Sequence, residues 1–229
     1  MSIARMRDIV GFSYARLRDK LNGGAIRVDN EASLQLQFAA ILKSVGEIHL
    51  CRQGESFRVE LEKPVLTRVP AGFSKSGTAR AKVDIWLAIY ESGHVVCSCA
   101  IEMKFFKRVN HREPNNRYDV FADISNLEGY AGVADIGYIM VATDHDHYVS
   151  QSSYSKDTAD FDFRHGSRYS RGCLLSYRTE KPYGVDIRLS RDYAFRWDEC
   201  RDGTHCMLLA VDPVVDDPGT ERAIGVVVA

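Results

Sequence analysis

No run of about 18 apolar residues occurs in the chain, so no segment reads as a membrane-spanning helix. The opening residues, MSIARMRDIVGF, carry scattered charges and no apolar block, so they do not read as a secretory leader. Charge of one sign is also lacking, because the formal net charge is −1. A nucleic acid would therefore have to be met by local basic patches. The six cysteines, Cys51, Cys97, Cys99, Cys173, Cys200 and Cys206, match no zinc-ribbon or finger spacing. A chain this long needs no disulfide staples. Gly-x-Ser-x-Gly, His-Glu-x-x-His and internal repeats are absent. These absences point to a soluble protein of a reducing, cytoplasmic compartment. Its 45% hydrophobic residues are enough for one large core, and residues 1–229 read as a single domain.

Residues 3–21 read as a helix with a partly apolar stripe (Ile3, Met6, Ile9, Val10), stopped by Asn22-Gly23-Gly24. A second helix starts at Asp29 or Asn30, either a good N-cap, and Gly46 is expected to end it. Glu31 falls in its first turn, where a carboxylate suits the helix dipole whatever else it does. Phe57, Val59 and Leu61 alternate as in a strand, and a Pro/Gly/Ser-rich loop follows at 64–80. Strands are expected at 81–91 and 94–104, a helix at 118–133 and a buried strand at 136–142. Residues 144–172 look polar and irregular. Further strands are expected at 173–178, 184–189, 192–197 and 206–211, and a loop at 212–219 before a last apolar segment. This order predicts an α/β (α+β) fold, a mixed sheet flanked by helices, with extra C-terminal strands.

The hairpin at 81–104 carries the most specific signal. A three-residue loop, Ser92-Gly93-His94, would place Asp84 across from Glu102 and Trp86 across from Ala100, a large-to-small match. Lys104 would share their face. Val83, Ile85, Leu87 and Ile89 with Val95, Cys97, Cys99, Ile101 and Met103 would form a dry face behind. Two carboxylates across a ladder have Cβ atoms roughly 5 Å apart and repel unless neutralised. Oxygen ligands select a hard cation such as Mg²⁺. The alternative is a solvated ion network with Lys82 and Lys104, as sheet edges often carry.

The order of these residues resembles the PD-(D/E)xK nuclease superfamily, the restriction-endonuclease-like fold. Glu31 looks like its helix acid, Asp84 like its strand Asp, and Glu102-Met103-Lys104 like its (D/E)-x-K. The likeness spans about 25–145, including the helix and buried strand that follow. It leaves 146–229 as a C-terminal elaboration. Asp84 lacks the preceding proline. The resemblance implies a Mg²⁺-dependent endonuclease acting on DNA, of restriction or defence type, with Mn²⁺ able to substitute. Asp84 and Glu102 would hold the metal, with the Met103 carbonyl as a further ligand, and Glu31 would complete the site. Lys104 would orient or deprotonate the attacking water, its pKa lowered beside the metal.

Two basic stretches could meet phosphates. One holds Lys107, Arg108, Arg112 and Arg117, and the other Arg164, Arg168, Arg171 and Arg178. A homodimer is expected from function, since one site cuts one strand, and the first helix is a candidate contact. The competing readings are a catalytically inactive member of the fold that binds nucleic acid or a protein, and an unrelated interaction domain. Three other signals are set aside. Gly72–Thr78 lacks the Lys of a phosphate loop. Asp144-His145-Asp146-His147 reads as a polar turn, because Val149 stands where a calcium loop needs Gly. Cys200, His205 and Cys206 lack a fourth zinc partner.

Overall fold

A computed structural model describes residues 2–66, 80–200 and 203–214. The Gly72–Thr78 segment and the apolar tail beyond 214 lie outside the described residues. Two helices come first, α1 (Ser2–Asn22) and α2 (Glu31–Ile48). Asn30 caps α2 by accepting the Ser33 N–H, while the Ser33 hydroxyl receives the Asn30 N–H, a reciprocal capping box. Gly46 does not end α2, which runs on to Ile48. A Cβ at Gly46 would fall 2.2 Å from the Phe57 ring, so this glycine serves a close helix–strand approach.

Strands β1 (Glu55–Leu66), β2 (Arg80–Glu91) and β3 (His94–Phe106) form an antiparallel meander. Helix α3 (Glu113–Glu128) then crosses over to β4 (Ile136–Thr143), which lies parallel to β3. The helix begins five residues before the expected position. Pro114 fits its first turn, and Gly129 follows its end. After the short α4 (His147–Ser150) come two-residue strands: β5 (Arg168–Tyr169), β6 (Leu174–Leu175), β7 (Ile187–Arg188), β8 (Tyr193–Ala194) and β9 (Asp198–Glu199). The last described strand is β10 (His205–Ala210). The main sheet has the order β1-β2-β3-β4-β10-β9, so the C-terminal third adds strands beside β4. The remaining expected C-terminal strands shrink to two small two-stranded sheets, β5-β8 and β6-β7.

Both sheet faces are buried. Helices α1 and α2 cover one face, over Ile85, Leu87, Ile89, Cys97, Cys99, Ile101 and Met103. Helix α3 and the C-terminal layer cover the other, over Trp86, Ala88 and Ala100. Met6, Ile9 and Val10 of the expected α1 stripe are used in this core, together with Leu17, while Ile3 is exposed. Helix α3 is buried nearly all round. Phe121 packs on Tyr169 and Phe195 of the C-terminal layer, with ring centroids 5.1 and 5.5 Å apart. Among the described residues, no helix is long and apolar enough to cross a membrane.

Candidate active site

The hairpin keeps the expected register by a different route. Ser92 (φ +51°) and Gly93 (φ +84°) form a two-residue turn, the geometry that needs positive φ at both positions. Tyr90 then pairs with Val95, and a bulge lets Ile89 pair with Cys97. Beyond the bulge Trp86 pairs with Ala100, as the size match predicts. The bulge also leaves Val95 exposed, outside the dry face expected for it.

The β2–β3 ladder ends at Ile85–Ile101, one pair before Asp84 and Glu102. Asp84 leaves the ladder. Its backbone carbonyl accepts the Gln35 side-chain amide of α2 at 2.6 Å, and its carboxylate Oδ2 accepts the Met103 N–H at 2.6 Å. The side chain thus supplies the acceptor that the strand withdraws. Val83, just before it, packs on the α3 side with Val65 rather than on the expected face with Ile85, so the strand rotates at Asp84. The simple face-to-face pairing of Asp84 with Glu102 is corrected accordingly.

Glu102 is fully buried on the α3 face, where its Oε1 accepts the Tyr130 hydroxyl at 2.9 Å. Tyr130 lies just past the end of α3. Burial first, and then the charges of Glu102, Asp123 and Asp84, push its phenol pKa up, so it stays a donor. Lys104 reaches Asp123 of α3, with Nζ 2.5 Å from Oδ2, and also donates to the Met103 carbonyl at 3.2 Å. Burial pulls the Lys104 pKa down, but Asp123, Glu31 and Asp84 outweigh it, and the net shift is upward. The surrounding carboxylates hold Lys104 as ammonium; the expected lowering belongs to a protein with its metal bound.

Glu31 reaches the same cluster. Its Oε2 accepts the Phe105 N–H at 3.2 Å, one turn before Gln35 holds Asp84. Its pKa is raised, first by desolvation of the carboxylate and then by Asp84 and Asp123, against lowering by Lys104 and the Phe105 N–H. Asp119, one turn before Asp123, is raised mainly by burial and faces Lys104 and Arg112. Four carboxylates (Glu31, Asp84, Asp119 and Asp123) thus act on one ammonium, and Glu102 precedes it by two residues on β3. Sequence reasoning missed Gln35, Asp119, Asp123 and Tyr130. The i, i+4 spacings Glu31–Gln35 and Asp119–Asp123 could have found the first three, and no such spacing marks Tyr130. Among the described residues, no group of three or more His, Cys, Asp and Glu is arranged as a metal cage.

The basic residues divide. Lys107, Arg108 and Arg112 line a cavity of about 330 Å³ at the C-terminal ends of β3 and β4. Arg117 is fully buried, bonded to Glu113 and to the Gln151 carbonyl at 3.0 Å, so it is a core cation and not a surface contact for nucleic acid. Arg164 pairs with Asp162 at 2.8 Å and Arg178 with Asp160 at 2.5 Å. Arg168 and Arg171 are exposed on the layer that packs against Phe121. Phe121 lies about 200° round the helix from Asp123, so these arginines belong to the opposite side of α3 from the acidic cluster. Cys97 and Cys99 are core residues, and Cys200 and Cys206 are buried as well.

No family model matches the chain, and neither a curated protein nor a solved structure matches it. What the fold and site define is a mixed α/β protein with a six-stranded sheet flanked by helices. A lysine ringed by carboxylates sits where its central hairpin opens.

Proposed function

We propose that the chain is a metal-dependent nuclease of the restriction-endonuclease-like fold, hydrolysing phosphodiester bonds of DNA in the cytoplasm as part of restriction or defence. One observation carries this reading. The ladder opens at Asp84, whose carboxylate accepts the Met103 N–H between Glu102 and Lys104 and whose charge acts on Lys104, with Glu31 reaching over the end of β3. The succession α2-β1-β2-β3-α3-β4, with β4 parallel to β3, agrees with it.

The donor set is oxygen only, which fits Mg²⁺, with Mn²⁺ as a substitute. Asp84 and Glu102 would hold the ion and Glu31 would lie next to it. Two carboxylates suffice for Mg²⁺, which keeps several waters. Such an ion supplies charge stabilisation at the phosphate and a more acidic water. The chain's own residues do the rest. The Tyr130 hydroxyl fixes the Glu102 carboxylate. Asp123 holds Lys104 as a cation until a phosphate oxygen competes for it. Lys104 then acts as a hydrogen-bonding charge on the reacting phosphate rather than as a base. Cutting both strands of a duplex would call for a homodimer, with the exposed side of α1, which carries Ile3 and Phe12, as the candidate contact.

A second reading, a catalytically inactive nuclease-fold protein binding nucleic acid or a protein partner, is favoured by one observation. Each of Asp84, Glu102 and Glu31 already accepts a hydrogen bond from the protein. Incubation with supercoiled, linear and single-stranded DNA, and with RNA, under Mg²⁺, Mn²⁺ or EDTA separates the two. The nuclease reading expects cutting with either ion and none with EDTA. Binding without cutting on every substrate supports the second reading.

A further inference from the structure

Helix α3 starts without a side-chain cap at Arg112, so its first N–H groups point from an open end. That end forms one wall of the cavity of about 330 Å³, with Lys107, Arg108, His111, Arg112, His145 and Tyr154 around it. The wall is electropositive. Its one acid, Glu113, is already bonded through Oε1 to Arg117 and to His147. Tyr154 is 66% exposed and stacks on buried His147, with ring centroids 3.6 Å apart and planes 13° apart. His147 is itself held by Gln151 at 3.0 Å and Glu113 at 3.3 Å. The exposed ring is therefore a backed, fixed platform beside a cationic wall. The Arg108 N–H, bonded to Asp144 at 2.7 Å, ties the loop after β3 to the loop after β4. Crevices outside the carboxyl ends of parallel strands are where α/β sheets take ligands.

We propose that this cavity binds one unstacked nucleotide of a nucleic-acid strand, its phosphate toward Lys107, Arg108 and Arg112 and its base on Tyr154. The inference rests on the nuclease reading for the identity of the strand. The cavity follows Lys104 by three residues, roughly 10 Å of extended chain, so it would hold a nucleotide flanking the reacting phosphate. Stacking on an aromatic ring is tolerant of base identity, and the cationic wall reads the backbone.

The test is calorimetric titration in EDTA with deoxyadenosine 5′-monophosphate, deoxyribose 5-phosphate, inorganic phosphate and a short single-stranded DNA. The nucleotide should bind most tightly of the three small ligands, and the oligonucleotide should displace it. Arg108→Ala with Arg112→Ala should weaken the nucleotide about tenfold or more, about 1.4 kcal/mol. Tyr154→Ala should erase the preference for nucleotide over sugar phosphate, and Tyr154→Phe should keep it. A nucleotide no tighter than phosphate, or unaffected by these substitutions, overturns the proposal. A bound nucleotide that the oligonucleotide cannot displace also overturns it, in favour of a free-nucleotide site. Because EDTA is present, binding that persists in a protein unable to cut DNA would refute the nuclease reading alone.

Discussion

The Asp84 carboxylate takes the Met103 N–H at 2.6 Å, standing in for the backbone acceptor that β2 withdraws as it leaves β3. One side chain therefore closes the hairpin and faces the acidic cluster. Asp84→Ala should lose both roles and cost about 1.5–3 kcal/mol, the range for a hydrogen bond to a charged group. Asp84→Asn keeps a carbonyl acceptor and should cost less. Urea unfolding of the two variants checks this ordering.

Tyr130→Phe removes the donor to a fully buried carboxylate oxygen of Glu102. The expected loss is about 1–3 kcal/mol with no change in fold, read as a lower urea midpoint at unchanged m-value.

Lys104→Met leaves Asp123 buried without its ammonium, and Glu31, Asp84 and Asp119 without their compensating charge. Removing one partner of a buried pair costs about 3–5 kcal/mol, so this variant should be the least stable at the site. Mg²⁺ binding to the native state at ten times its Kd should add about 1.4 kcal/mol to the wild type. A thermal melt with and without Mg²⁺ measures both effects.

Two glutamates should titrate in opposite senses. Arg5, followed by the Cys51 and Arg52 N–H groups, holds the Glu55 carboxyl down to about 2, while burial partly opposes them. Its stabilising contribution is present above the ordinary value of 4.5 and is lost as pH falls toward 2. The Glu31 pKa is raised, so its charged form weakens the fold, and stability from this group falls as pH rises above 4.5. Glu55→Gln should flatten the acid limb of a stability–pH curve, and Glu31→Gln should flatten the loss above it.

Arg117→Ala should unfold the protein rather than merely weaken nucleic-acid binding, because Arg117 bonds buried Glu113 and the Gln151 carbonyl inside the core. Arg108→Ala, at an exposed position, should leave the melting temperature within a degree or two, a change on the order of 0.5 kcal/mol or less. Melting curves for the two proteins decide this.

The hairpin was legible because period-two alternation and the Trp86–Ala100 size match both report register directly. The turn was not, since a bulge compensates a shorter loop without disturbing the pairs beyond it. The departure of β2 at Asp84 depends on Gln35 and Met103, distant in sequence, and leaves no local periodic mark. Asp123 was hidden in a helix buried on nearly every side, marked only by its spacing from Asp119, and Tyr130 lies just past the end of that helix. Arg117 misled because a charge run reads as surface until its partners Glu113 and Gln151 are seen.

The opened hairpin is the proposed metal-dependent hydrolytic site. The most direct test is plasmid cleavage by wild type, Asp84→Asn and Glu102→Gln, each shown by circular dichroism to be folded, in Mg²⁺ and in EDTA. The wild type should nick or linearise the plasmid in Mg²⁺ alone, and both variants should lose at least about 100-fold, roughly 2.7 kcal/mol of barrier. Cleavage at wild-type rate by both folded variants, or equal cleavage in EDTA, would contradict that assignment.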